Sequence, residues 1–313
     1  MNTNDTGELI IALSIDICGS TDFKRNCEMG IWRNVVYRFH DSPFRPIYRR
    51  IQDVYPKRIG DEVVFFVKVD DVIDICDIIK RTYKAVLDLH KDFHEDFKNK
   101  CTRDIFFKAT MWISLVHMYD EKEKIHGVNP KNIVIKLKDK SNDNVEYLGI
   151  HIDEGFRLAT WSRPNLLIID PKIVHILLTA REMIRKNPTG VSSVYNDAPQ
   201  QFVDDIAFFI EKSKNSSEIL TEFNESVEHI FSYGDVKLKD IDCKYPLLGY
   251  YDTEYSNEIA GITHAEIEEF RHEGTQPMMD EIAEYFSRKE EENDLRGILD
   301  ILRFDVFRDT DTF

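Results

Sequence analysis

The chain has 313 residues and a formal net charge of −16. That length suits one large domain or one domain with an appendage. The acidic balance excludes a broad nucleic-acid or anionic-membrane surface. It does not exclude a nucleotide, because metal ions and a few local Lys or Arg residues can neutralise a triphosphate. The cysteines (Cys18, Cys27, Cys76, Cys101 and Cys243) are scattered, odd in number and without a CxxC pair. Reduced thiols are therefore expected, not a disulfide framework or a zinc site. No apolar run reaches membrane-spanning length. The polar start, Met1 to Glu8, is not expected to act as a secretion signal, so the cytoplasm is the expected location.

In chain order, residues 8–17 are apolar and β-branched and predict a buried strand. Residues 22–50 predict helix with a break near Ser42-Pro43. Two strands are expected over 51–66, flanking a turn at Gly60-Asp61. Residues 70–99 place Val72, Ile75, Ile79, Tyr83, Val86 and Phe93 at helical spacing and predict a long amphipathic helix. Residues 104–119 are strongly β-prone. The charged stretch 121–144 predicts a loop insertion with one short strand over 132–137. A helix over 152–161 should stop before Arg163-Pro164. A short strand follows over 166–170, then a helix over 171–186 with Pro at its start. Residues 187–229 carry no assignment. A closing hairpin is expected over 236–251, and charged helix over 262–303, with a solvated Glu-rich face at 286–293. Strands and helices alternate without strict order, which predicts an α/β (α+β) fold with a mixed sheet.

Two segments carry chemistry. Asp16 ends the first strand and is followed by Gly19, Ser20 and Thr21, a turn that can offer backbone N–H groups to a phosphate. The same residues can also be an ordinary helix cap. Gly60-Asp61 can supply a second carboxylate or be merely a hairpin turn. Together, two carboxylates at neighbouring strand ends can hold divalent cations against a polyphosphate. A third segment spans Glu146 to Arg157. On a helix, Asp153 and Arg157 lie one turn apart, which allows a structural ion pair or an arginine aimed at a reacting phosphorus. His90 and His94, also one turn apart, could ligate a metal but are expected to be surface residues.

These residues resemble the class III nucleotidyl cyclases, over about residues 8–252 with an insertion near 187–229. In that family an Asp opens the first strand-end loop, a Lys-x-x-Gly-Asp hairpin supplies the second metal ligand, and an Asn-x-x-x-Arg helix stabilises the transition state. The resemblance implies a ferredoxin-like catalytic domain followed by a helical extension over 253–313. It implies that Asp16, Asp61 and the Ile17 carbonyl hold two Mn2+ or Mg2+ ions. Lys57 and Glu146 match the base-reading positions. Arg157 matches the transition-state arginine. Asp153 stands where the family has Asn, and Gly155-Phe156 replaces small residues. Lys239, in Leu238-Lys239-Asp240, matches a phosphate-binding lysine.

The wording Ile152-Asp-Glu-Gly-Phe-Arg157 is most similar to the pyrimidine nucleotide cyclases of bacterial Pycsar anti-phage systems. That implies cyclisation of UTP, or of CTP, a head-to-tail homodimer with shared sites, and a separate effector that reads the product. An adenylate cyclase and a catalytically silent nucleotide sensor are the other readings. No Gly-Gly-Asp-Glu-Phe run supports a diguanylate-type enzyme. Tyr55, Phe65 or Tyr147 are the bulky residues expected to narrow a base pocket.

Overall fold

The computed structural model describes residues 7–41, 55–69, 72–99, 105–119, 131–136, 145–164, 166–186, 229–238, 244–251 and 275–286. Along the chain run β1 (Glu8–Ile17), α1 (Ser20–Asn26), α2 (Met29–Asp41), β2 (Tyr55–Ile59), β3 (Glu62–Lys68), α3 (Val72–Phe97), β4 (Phe107–Tyr119), β5 (Asn132–Lys136) and β6 (Val145–Gly149). Then follow α4 (Ile150–Ala159), β7 (Leu167–Ile169), α5 (Pro171–Lys186), β8 (Ile230–Val236), β9 (Tyr245–Tyr250) and α6 (Thr275–Phe286). Sheet order is β2-β3-β1-β4-β7-β9-β8, with β5 pairing β4 and β6. The β4–β5 and β4–β7 pairs are parallel and the others antiparallel. The molecule is thus the expected α+β fold, a mixed sheet flanked by helices.

Strand alternation divides the interior in two. On β1, Leu9, Ile11, Leu13, Ile15 and Ile17 join the main core, with Val35 and Phe39 of α2 and Ile75, Ile79, Tyr83 and Val86 of α3. The alternate residues, Ile10 and Ala12, join a smaller cluster with Val64, Phe66, Trp112, Val116, Val134 and Ile152 of α4. Continuing that alternation puts Ser14 and Asp16 on the face that α4 covers.

Helix α4 sits close against the sheet because Gly155 has no side chain. A Cβ there would lie 2.1 Å from the Trp112 indole. The neighbouring Phe156 meets the same indole edge-on, with centroids 5.3 Å apart. The unusual Gly-Phe pair therefore complements a tryptophan in the sheet. At the far end, Met278, Ile282, Tyr285 and Phe286 of α6 are buried in the main core, and Ser232 of β8 hydrogen-bonds Glu281 of α6.

Several sequence expectations need correction. Strand β6 was not anticipated, because the short run Val145–Gly149 is only half apolar and, among the described residues, pairs with β5 alone. The helical stretch after β1 breaks at Cys27-Glu28, between α1 and α2. The closing hairpin starts with β8 at Ile230, earlier than expected, because Tyr233, Gly234 and a register shift disguise the strand. His90 is buried, not a surface residue. Its Nδ1 accepts the Phe107 N–H at 3.4 Å, and burial pushes its pKa down to about 4. His94 is exposed, as expected. Residues 187–228, Ser42-Pro43, the Glu-rich stretch 287–293 and Cys101 and Cys243 lie outside the described residues.

Gly155→Ala gains helix propensity but forces a methyl group into a rigid ring. Overpacking of this kind costs about 1–3 kcal/mol. A lowered denaturant midpoint at unchanged slope is the expected result, checked by urea unfolding.

Candidate active site

The metal-ligand candidates stand at the end of β1 and in the β2–β3 turn. Ile59 pairs with Glu62, leaving Gly60 and Asp61 as the whole turn. Gly60 has φ 66°, which glycine adopts without steric cost and which tight hairpins require. The turn is held in place by the Ile17 N–H donating to the Asp61 carbonyl at 3.3 Å and by His40 Nε2 at 2.9 Å from the Gly60 carbonyl. Asp61 is thereby fixed against the end of β1.

Register then builds the surroundings of Asp16. In the antiparallel ladders Asp16 lies opposite Glu62 on one side and Lys108 on the other. All three share the α4-covered face. Lys108 Nζ is 3.2 Å from Asp16 Oδ2. Ser14 Oγ donates to Glu62 Oε1 at 2.5 Å. Asp61 receives Lys24 Nζ at 3.3 Å and the Ser20 hydroxyl. Ser20 thus lies beside Asp61. It does not cap α1, whose first turn follows Gly19 with no side-chain cap.

Three acidic groups share this space, and burial acts on each of them first. Burial raises the Asp16 carboxyl above its ordinary range, and the nearby Asp61 charge adds to this while Lys108 opposes it. Glu62 is raised in the same way, first by burial, with the Asp16 charge contributing. Burial also pushes Asp61 upward, but hydrogen bonds from Ser20 and Lys24 outweigh it and hold this carboxyl below its ordinary value. Burial lifts the adjacent Cys18 thiol to about 12, so it is protonated at neutral pH.

Among the described residues no three His, Cys, Asp or Glu side chains form a metal-binding group. The pair Asp16 and Asp61 nevertheless fits a particular class of ion. Magnesium-type cations are commonly held by one or two carboxylates and complete their shells with water and substrate phosphates, without an all-protein cage. Two neighbouring, partly exposed carboxylates are such a donor set.

A second group of residues lies across the sheet. Lys57 on β2 pairs with Glu146 on β6, although they are 89 residues apart in sequence. β6 is also tied to β3, the neighbour of β2, by Tyr147 and Phe66, whose rings stack with centroids 3.8 Å apart. Of the residues expected to narrow a base pocket, Tyr147 packs against the smaller core cluster, whereas Phe65 faces the main core on the opposite side of β3. The side chain of Tyr55 lies outside the described residues.

Asp153 is exposed and Arg157 half-buried on α4. The helix is anchored by Glu154, which forms a buried ion pair at 3.6 Å with Lys172 at the start of α5. Asp170 receives the Lys172 N–H at 2.8 Å. Lys239 lies outside the described residues. Lys24, Ser14, Glu62 and Lys108 were not singled out from the sequence. Glu62 follows Asp61 directly and was available to inspection, but Lys108 becomes visible only through the β1–β4 register.

No family model matches this sequence, and neither does any curated protein. Among solved structures, the chain is similar to the adenylyl cyclase CyaB from P. aeruginosa, at 9% identity and TM-score 0.49, covering 82% of this chain and 100% of that one. It is similar to the catalytic core of a rhodopsin-guanylyl cyclase with converted specificity in complex with ATPalphaS, at 13% identity and TM-score 0.44, covering 80% and 98%. The guanylate cyclase domain of RhGC from Catenaria anguillulae in complex with GTP is also similar, at 12% identity and TM-score 0.43, covering 79% and 98%. No helix among the described residues is long and apolar enough to cross a membrane.

The raised Asp16 carboxyl has two measurable consequences. A folded-state pKa above the unfolded one means that ionised Asp16 costs stability at neutral pH, and that the cost is relieved as pH falls through the folded pKa. Asp16→Asn should therefore raise the Tm at pH 8 in a calorimetric scan. Lys108→Met removes the cation that opposes the rise. A cation-dependent activity should then lose its acid limb at higher pH than in the parent protein.

Proposed function

We propose that the protein is a nucleotidyl cyclase that converts UTP into 3′,5′-cyclic UMP and pyrophosphate. The observation that carries this reading is the meeting of Lys57 with Glu146. Two residues matched to the base-reading positions of class III cyclases do touch, on the sheet whose β2–β3 turn sets Asp61 against the end of β1 beside Asp16. The ribose 3′-hydroxyl attacks the α-phosphorus, its proton leaves to solvent, and the P–O bond to pyrophosphate breaks. Mg2+ or Mn2+, when bound, lowers the pKa of the 3′-hydroxyl and neutralises the triphosphate. Asp16 and Asp61 would hold the cations with the Ile17 carbonyl, and the backbone at Gly19 and Thr21 would face the phosphates. Arg157 stabilises charge on the equatorial oxygens, with Lys239 as a further phosphate contact and Asp153 orienting the ribose. Positioning and electrostatics of this kind supply most of the catalysis in phosphoryl transfer.

For the base, the Lys57 ammonium donates to a uracil carbonyl and the Glu146 carboxylate accepts the ring N–H. Cytosine also satisfies the pair, donating its amino group to Glu146 and accepting from Lys57 at the ring nitrogen. Tyr147, stacked on Phe66 beside the pair, favours the smaller ring. The resemblance of the 152–157 wording extends the reading to a homodimer with sites shared across the interface, and to cyclic UMP acting on a separate effector in anti-phage defence.

Incubation with each of the four ribonucleoside triphosphates and Mn2+, with products identified by mass, tests the proposal. Cyclic UMP should dominate. Preferred cyclisation of CTP or ATP overturns the base assignment, and the absence of any cyclic product favours a silent nucleotide sensor. Asp16→Ala and Asp61→Ala should each abolish product, whereas Arg157→Ala should lower kcat by about 10²–10³. Retained activity in either aspartate variant removes the metal assignment.

A further inference from the structure

The proposed reaction leaves Lys24 and Lys108 unused. Each ammonium sits on one of the two aspartates: Lys24 of α1 is 3.3 Å from Asp61, and Lys108 of β4 is 3.2 Å from Asp16. These are not loose surface contacts. The four side chains are between 22% and 34% exposed, so solvent screens them less than fully exposed pairs. A divalent cation seated between Asp16 and Asp61 would share both carboxylates with two ammonium groups. Like charges at such separations repel strongly in a half-buried setting.

We propose that Lys24 and Lys108 are resident counter-cations of the metal site. They neutralise the aspartates in the metal-free protein and oppose capture of a bare divalent ion. They swing onto phosphate oxygens when a triphosphate arrives with its own negative charge. The flexible four-carbon stem of lysine permits that exchange without backbone movement. Metal and nucleotide then load together, and the protein does not hold metal alone. The inference rests on the reading of Asp16 and Asp61 as metal ligands.

The test is a titration of the metal-free, full-length protein with Mn2+ alone, with free ion followed by electron paramagnetic resonance. Wild type should bind weakly. Lys24→Met and Lys108→Met should each tighten manganese binding by about tenfold, while Lys24→Arg and Lys108→Arg, which keep the charge, should follow the wild-type curve. Adding a 3′-deoxy triphosphate, which cannot cyclise, should raise manganese affinity more in wild type than in the Met variants. Helix α1 contributes no buried residue, so Lys24→Met carries the test if Lys108→Met fails to fold. Binding that is unchanged or weaker in the folded Met variants overturns the proposal. So does a wild type that already binds bare manganese as tightly as they do. Asp16→Asn separates the two levels of inference. If it binds manganese like wild type, the metal reading itself fails. If it loses binding while the Met variants leave the curve unmoved, only the role of the lysines fails.

Discussion

The arrangement depends on the alternation of one central strand. β1 pairs antiparallel on both sides, with β3 and with β4, over nearly its whole length. Its odd-numbered residues from Leu9 to Ile17 enter the main core, and its even-numbered residues turn toward α4. A slip of one residue would drive Asp16 into the core beneath α3 and turn Ile15 toward α4. The cost of burying an unpaired carboxylate enforces the register as firmly as the apolar residues do. Because the register is enforced, Glu62 and Lys108 are brought beside Asp16 without any local signal of their own.

The polar residues on that face form two groups with different electrostatic character. Around Asp16 and Asp61, three carboxylates and two ammoniums occupy partly shielded space, and burial and mutual repulsion keep Asp16 and Glu62 above their ordinary pKa values. This is a site in tension, suited to gaining positive charge. Lys57 and Glu146 instead satisfy one another, one donor group and one acceptor group side by side. A base edge that both donates and accepts can replace each side of that pair. The helix that carries Arg157 lies over the same face. It is held by a glycine against Trp112 and by the buried Glu154–Lys172 pair. Gly155 and Phe156 are thus matched by the tryptophan beneath them.

Legibility from sequence followed the strength of local periodicity. α3 and α5 were readable because apolar spacing and a starting proline are local signals. The β2–β3 hairpin was readable because Gly60-Asp61 is a strong turn. β6 and β8 were obscured, since one is half polar and the other is interrupted by Gly234 and a register shift. His90 was misjudged because a polar residue on a helix reads as solvent-facing unless its partner, here the Phe107 N–H, is known.

By itself the sequence determined the carboxylates at two strand ends, the arginine one helical turn from Asp153, and the alternation that makes β1 two-faced. These are properties of residues near one another along the chain. The tertiary structure alone decided that Lys57 meets Glu146, that Lys108 lies opposite Asp16, that Lys24 reaches Asp61, and that Phe65 points away from the site. Those contacts depend on strand register and on pairings across many residues. The hydrophobic pattern requires that such pairings form, but it does not encode which polar side chains they bring together.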